Sequence, residues 1–194
     1  MIIKKMLVPC DFSDEARQAY KFALEIATAS KEELFVGSNI KKSVRNAPVP
    51  VFTVHQAMPV SKIKDIVFPT KLDLTQSRLI AKLKTLQAFF DATVHLLFIH
   101  SPDDTTIDKE TIIATDNFAK FYQLDKYKVH VRRTPDIQQG ILKFASEFEH
   151  CMIAMATEDH RGLIHLFVGS TAEVVTKHAY EPIRTLVSEH QDYD

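Results

Sequence analysis

Ile66-Val67-Phe68-Pro69 is a short apolar run closed by proline, and Leu79, Ile80, Leu83, Leu86 and Phe90 follow it at helical spacing. The stretch reads as a buried strand feeding an amphipathic helix over 75–90. The same order opens the chain, where Met6-Leu7-Val8-Pro9 precedes Ala16, Ala19, Tyr20, Ala23, Ile26 and Ala27. A second element also recurs. Leu34-Phe35-Val36-Gly37-Ser38 returns as Leu166-Phe167-Val168-Gly169-Ser170, and in each case a proline 13 residues past the glycine, Pro50 or Pro182, opens an apolar strand. Pro9 and Gly37 are 28 residues apart, whereas Pro69 and Gly169 are 100 apart. The chain therefore reads as two copies of one unit, the first lacking the middle.

Working outward, the second copy alternates regularly. Strands are expected at 64–69, 93–100, 127–132, 151–156 and 182–187. Helices are expected at 75–90, at 108–122 packed through Ile112, Ile113, Phe118 and Phe121, at 136–149 through Ile137, Ile141, Leu142, Ala145 and Phe148, and at 170–178. Gly140 is a weak point in the third helix, and Ser170 with Glu173 forms a capping box on the last. Five strands alternating with four helices predict an α/β fold, a mainly parallel sheet covered on both faces.

The first copy holds two strands and two helices. A strand at 4–9 leads to a helix capped by Ser13, with Asp14 and Glu15 complementing its dipole. That helix fades near Ser30. Gly37-Ser38 then starts a short helix at 39–45, and a strand follows at 50–55. The passage from Ser30 to Leu34 reads as abnormal, because Ala29–Val36 has no glycine or proline to make a turn. So small a unit buries too little to stand alone and must lean on its neighbour. The expected division is a partial domain at 1–56 and a complete one at 64–190. The two terminal strands, each otherwise an exposed edge, are expected side by side.

Composition narrows the function classes. Of 194 residues, 45% are hydrophobic and 25% charged, with a net charge of −1, which gives no electrostatic footprint for nucleic acid or an anionic membrane. No apolar run reaches the roughly 18–20 residues of a membrane span. Met1-Ile2-Ile3-Lys4-Lys5 runs straight into a strand pattern and does not read as a signal peptide. Cys10 and Cys151 lack metal-type spacing and read as small core residues in a reducing, cytoplasmic setting.

Three stretches resemble the universal stress protein family in its tandem form. They are Leu7-Val8-Pro9-Cys10-Asp11-Phe12-Ser13, then Gly37-Ser38 through Pro48-Val49-Pro50-Val51, and Gly162-Leu163 through Gly169-Ser170-Thr171-Ala172-Glu173-Val174-Val175. The resemblance implies a Rossmann-like sheet of five parallel strands in the order three-two-one-four-five. It implies pairing of two such units through their last strands, and either nucleotide binding or a stress role without nucleotide. Nucleotide-binding members carry Gly-x2-Gly-x9-Gly-Ser/Thr after the fourth strand, where backbone N–H groups and a helix N-terminus cradle phosphate.

In the second copy Gly169-Ser170 fits that pattern, but Ala156 and Asp159 stand at the two earlier glycine positions. Lys71 replaces the family's aspartate two residues past the proline. The first copy keeps Asp11, Gly37 and Ser38. The candidate anion or nucleotide-phosphate residues are therefore Asp11, Gly37, Ser38, Gly169 and Ser170. The simpler role of each Gly-Ser pair is a tight turn and a helix cap.

The function this implies is a non-catalytic stress-response module acting by association or ligand sensing, with no cofactor. One alternative is a regulator that binds ATP at the first-copy site and hydrolyses it slowly. Another is a structural pairing module. Self-association through the last strands is the expected partnership, without nucleic acid or membrane. His160 and His165, with Glu158 and Asp159, form no recognised metal set. His95 and His100 are expected to be partly buried and hydrogen-bonded. No spacing suggests a Ser/His/Asp or Cys/His arrangement, and Arg132-Arg133 reads as a solvated pair.

Overall fold

In the computed structural model, described over residues 5–9, 13–31, 33–37, 52–54, 58–74, 76–157, 175, 178–179 and 182–187, the chain opens with a β-α-β unit. Strand β1 (Lys5–Pro9) leads into helix α1 (Asp14–Ser30), and β2 (Glu33–Gly37) returns parallel to β1, with Met6 opposite Leu34 and Pro9 opposite Gly37. Ser13 caps the helix, its Oγ accepting from the Ala16 N–H at 3.2 Å. The helix stops because Lys31 turns left-handed (φ 57°) and its N–H closes on the Ala27 carbonyl.

Two expectations are corrected here. At the Ser30–Leu34 join, expected to be abnormal, the helix is closed by a lysine, Lys31, in a conformation usually left to glycine or asparagine, and a strand begins at Glu33; Glu32 lies outside the described residues. Glu33–Gly37, read as the lead-in to a turn, is a strand, because its apolar run lies beside β1 and completes a parallel ladder. Among the described residues the first part of the chain thus has three strands. The expected helix at 39–45 lies outside the described residues.

The larger sheet has six strands: β3 (Phe52–Thr53), β4 (Asp65–Pro69), β5 (Thr93–His100), β6 (Tyr127–Arg133), β7 (Cys151–Thr157) and β8 (Ile183–Val187). Between them run α2 (Ser77–Phe90), α3 (Asp108–Phe121) and α4 (Ile137–Ala145). The spatial order is β3-β8-β7-β4-β5-β6. Strands β4 to β8 are mutually parallel, so the second copy has the expected order three-two-one-four-five. The short β3 lies antiparallel on β8, Phe52 opposite Arg184 and Thr53 opposite Ile183, so the two terminal strands do meet.

Each face of this sheet carries its own core. On one face Ile66, Phe68, Val94, Leu96 and Met152 pack under α2 and α3, and α1 adds Phe22 and Ile26 to the same cluster. On the other, Val67, Leu97, Ile153 and Ile183 pack against Ile141, Phe144 and Ala145 of α4 and against Val175 and Ala179. The first part therefore does lean on the second. Within the first part Phe22 stacks edge-on with Phe52 at 5.8 Å, and Glu25 accepts from the N–H of Val60, in the link between the parts, at 2.7 Å. Each large side chain buried in this way contributes roughly 1.5–3 kcal/mol. Tyr20, expected inward, is exposed, and Phe22 takes its place.

Helix α2 buries Leu79, Ile80, Leu83, Leu86 and Phe90, as the periodicity predicts. Helix α3 does not follow its predicted face. Phe118 is buried, but Ile112, Ile113 and Phe121 are 45%, 52% and 65% exposed, and Thr111, Thr115 and Ala119 face the sheet instead. The reason is polar. His100, 3% exposed at the end of β5, takes its hydrogen bond from Thr111, and that bond sets the rotation of the helix. Helix α4 starts from Asp136, whose carboxylate accepts from the N–H groups of Gln138 and Gln139 at 2.9 and 3.0 Å, and it ends at Ala145, short of the expected 149. Gly140 is a contact, not a weakness: a Cβ there would meet Thr134 Cγ2 at 2.6 Å and Ile99 Cδ1 at 3.0 Å.

Candidate functional site

The direction of winding reverses between β4 and β7. Strands β5 and β6 lie on one side of β4, and β8 and β3 lie beyond β7. Open parallel sheets bind ligands at the carboxyl ends of the strands flanking such a switch point. Here that rim is formed by Pro69–Asp73 after β4 and by Ala156-Thr157 at the end of β7. The Thr70 N–H ties the first segment to the Leu97 carbonyl at 3.0 Å. The Thr70 hydroxyl accepts from the Leu72 N–H at 3.1 Å, and Leu72 is left-handed (φ 60°). Gln76 donates to Asp73 at 3.3 Å. The turn is locally fastened and presents Lys71, an exposed side chain, at the rim.

Of the sequence candidates, Gly37 ends β2 directly opposite Pro9, two residues before Asp11. Asp11, Ser38, Gly169 and Ser170 lie outside the described residues, as do Glu158, Asp159, His160, His165, Cys10 and the Ser170–Glu173 capping box. Cys151 is a buried thiol outside any disulfide, its Sγ donating to the Ala145 carbonyl at 3.5 Å, in keeping with a core role.

His95 and His100 are hydrogen-bonded as expected and more deeply buried than expected, but the two clusters they anchor were not legible in the sequence. At the carboxyl end of β5, His100 Nδ1–H donates to Asp104 at 2.6 Å, and its Nε2 accepts from the Thr111 hydroxyl at 2.7 Å. Carboxylate, imidazole and hydroxyl thus lie in the sequence of a hydrolase triad. Hydrogen bonds from the Thr106 side chain and backbone, with that from His100, hold the Asp104 carboxyl well below the usual carboxylate range. Yet Thr111 is 5% exposed on the buried side of the first turn of α3, so a substrate carbonyl has no approach to its oxygen. The cluster works as a clamp between β5, its following loop and α3.

Arg133 extends the clamp, bonding Asp108 at 3.0 Å and the Asp104 carbonyl at 2.6 Å. Arg132 reaches Glu147 at 3.3 Å and lies over the Phe144 ring at 5.0 Å. The arginine pair is therefore engaged with neighbours, which corrects the expectation of a simply solvated pair.

The second cluster lies on the opposite face. His95, buried in β5, bonds Asp65 of β4 through Nε2 at 2.8 Å and His130 of β6 through Nδ1 at 3.0 Å. Phe144 and Phe148 close over the two rings. Among the described residues, no group of three or more His, Cys, Asp or Glu is placed to hold a metal ion. No described helix is long and apolar enough to cross a membrane.

A parallel sheet wound both ways from a switch point, with helices on both faces, defines the chain as an open α/β protein with a Rossmann-like sheet. The universal stress protein family model matches residues 62–183, and the chain belongs to that family. No curated protein matches it. Among solved structures it is similar to a universal stress protein of Archaeoglobus fulgidus DSM 4304, at TM-score 0.66 and 13% identity over 97% of each chain. It is also similar to a functionally unknown protein of Pseudomonas aeruginosa PAO1, at TM-score 0.61 and 17% identity, covering 95% of this chain and 82% of that one. A universal stress protein solved in complex with cAMP aligns at TM-score 0.52 and 10% identity, over 66% of this chain and 98% of that one. At these identities the likeness concerns the fold.

Proposed function

We propose that this chain is a cytoplasmic, non-catalytic stress-response module that acts by association or ligand sensing. Residues 1–56 form a partial copy of the domain and 64–190 a complete one, joined through their terminal strands. The observation that carries this reading is the antiparallel seat of β3 on β8, which brings inside one chain the strand pairing through which two such units associate. The rim of the second copy argues against a triphosphate, with Lys71 in place of an aspartate and Ala156 in place of a glycine. Gly169 and Ser170 then serve as turn and cap. Calorimetry with ATP and with cAMP is the test: no binding at micromolar affinity is expected, and stoichiometric micromolar binding overturns the reading.

One observation favours a second reading, a nucleotide-binding regulator using the first copy. The β1–β2 register sets Gly37 opposite Pro9, so the strand ends that precede Asp11 and Ser38 in sequence are neighbours. On this reading Asp11→Ala abolishes whatever nucleotide heat the intact protein gives.

A further inference from the structure

We propose that the Asp65–His95–His130 chain is an acid-sensitive fastener that holds the edge strand β6 to the sheet and releases it when a second proton enters the pair. The three side chains come from three adjacent strands on the face covered by α4. Asp65 accepts from His95 Nε2–H, which leaves Nδ1 of a neutral His95 with a lone pair for the Nε2–H of His130. The 3.0 Å contact between the rings has room for one proton and no more.

A first added proton is accommodated. His130 takes it at Nδ1 and passes its Nε2 proton to His95 Nδ1. The imidazolium then lies on His95, against the Asp65 carboxylate, and His130 still accepts in the N–H···N bond. A second proton sets two N–H groups of two cations against each other, and the bond must open. The charged groups facing His130 add to the strain. Lys128 and Arg132 on its own strand oppose the second proton, and only Glu147, after α4, favours it. Cys151 of β7, paired beside Asp65, is a neutral thiol in contact with Ala145.

Burial first, then the charge on His95 and Arg132, push His130 down to about 4 from its ordinary 6.5. The folded form therefore binds this proton more weakly than the unfolded chain does. Stability from this group is complete above pH 6.5 and is lost as pH falls toward 4. Because β6 is the outermost strand and pairs only with β5 among the described strands, the loss falls there first.

Urea denaturation at pH 7 and pH 4.5, with amide hydrogen exchange over 127–133, tests this on the full chain. In the wild type the unfolding constant should rise by about tenfold more than in His130→Gln, a figure reduced for the partial exposure of the ring. Glutamine can still donate to His95 but does not titrate. Exchange in β6 should accelerate before exchange in β4. Should the glutamine variant not fold, His130→Asn carries the same comparison, and imidazole NMR titration of the wild type reads the pair without any substitution. Equal pH dependence in wild type and variant, or a His130 titration at the ordinary 6.5, overturns the proposal.

Discussion

Helices α2 and α3 have the same length, follow neighbouring strands and cover the same face of the sheet, yet they present opposite surfaces to it. Helix α2 buries its leucines and isoleucine. Helix α3 buries two threonines and an alanine beside Phe118, and it turns Ile113 and Phe121 outward. The difference lies in what the sheet offers. Under α2 the strands present Ile66, Phe68 and Val94, and any apolar face serves. Under the start of α3 they present His100, whose ring must be satisfied on both nitrogens. An unsatisfied buried group costs about 1–3 kcal/mol, comparable to the gain from burying one more isoleucine, and it has direction where apolar contact has none. Direction decides the rotation.

The comparison breaks most visibly under truncation. Leu83→Ala on α2 should cost about 3 kcal/mol of unfolding free energy in urea, since it empties a fully buried site, while Phe121→Gln on α3 should stay within about 0.5 kcal/mol. Similar costs at the two positions would mean that the outward face of α3 is covered in solution. Thr111→Val keeps the shape and removes the hydroxyl from His100 Nε2. A loss of about 1.5 kcal/mol is expected, partly recovered by Thr111→Ser, and a neutral valine variant would show that apolar packing alone orients the helix. A smaller loss than at Thr111 belongs to α4, where Gly140→Ala sets a methyl against Thr134 and Ile99. Helix propensity favours the change and crowding opposes it, so a net destabilisation of about 1 kcal/mol is expected from thermal melts. A gain would show that Thr134 rotates aside.

What was legible in the sequence follows the same division. Strand-helix alternation and the closing prolines were enough for the parallel sheet and the inner face of α2, because those depend on periodicity along one segment, whereas the strand order rested on the family resemblance. The Ser13 cap was legible for the same local reason. His95 and His130 carried no such signal. They meet because the β5–β6 register sets His95 opposite Lys128 and His130 opposite Leu97, and only a diagonal contact brings the rings together. The clamp at His100 likewise joins a strand end to a helix 11 residues on, through a loop whose shape no periodicity records. Strand β2 was missed because its apolar run was matched to a turn elsewhere, and nothing local announced that Lys31 would adopt the left-handed conformation. The candidate residues Asp11, Ser38, Gly169 and Ser170 rest on the motif alone.

The seat of β3 on β8 also sets a timetable. Phe52 is made early and Arg184 late, and about two-thirds of the chain separates them, so this ladder can close only after the parallel sheet has assembled to its last strand. Contacts of such long sequence separation form slowly, because the ordering entropy of everything between them comes first. Until then β3 offers unpaired backbone groups to any complementary edge, including the β8 of a neighbouring molecule. Chain concentration during refolding thereby decides whether the six-stranded sheet closes on itself or is completed by exchange.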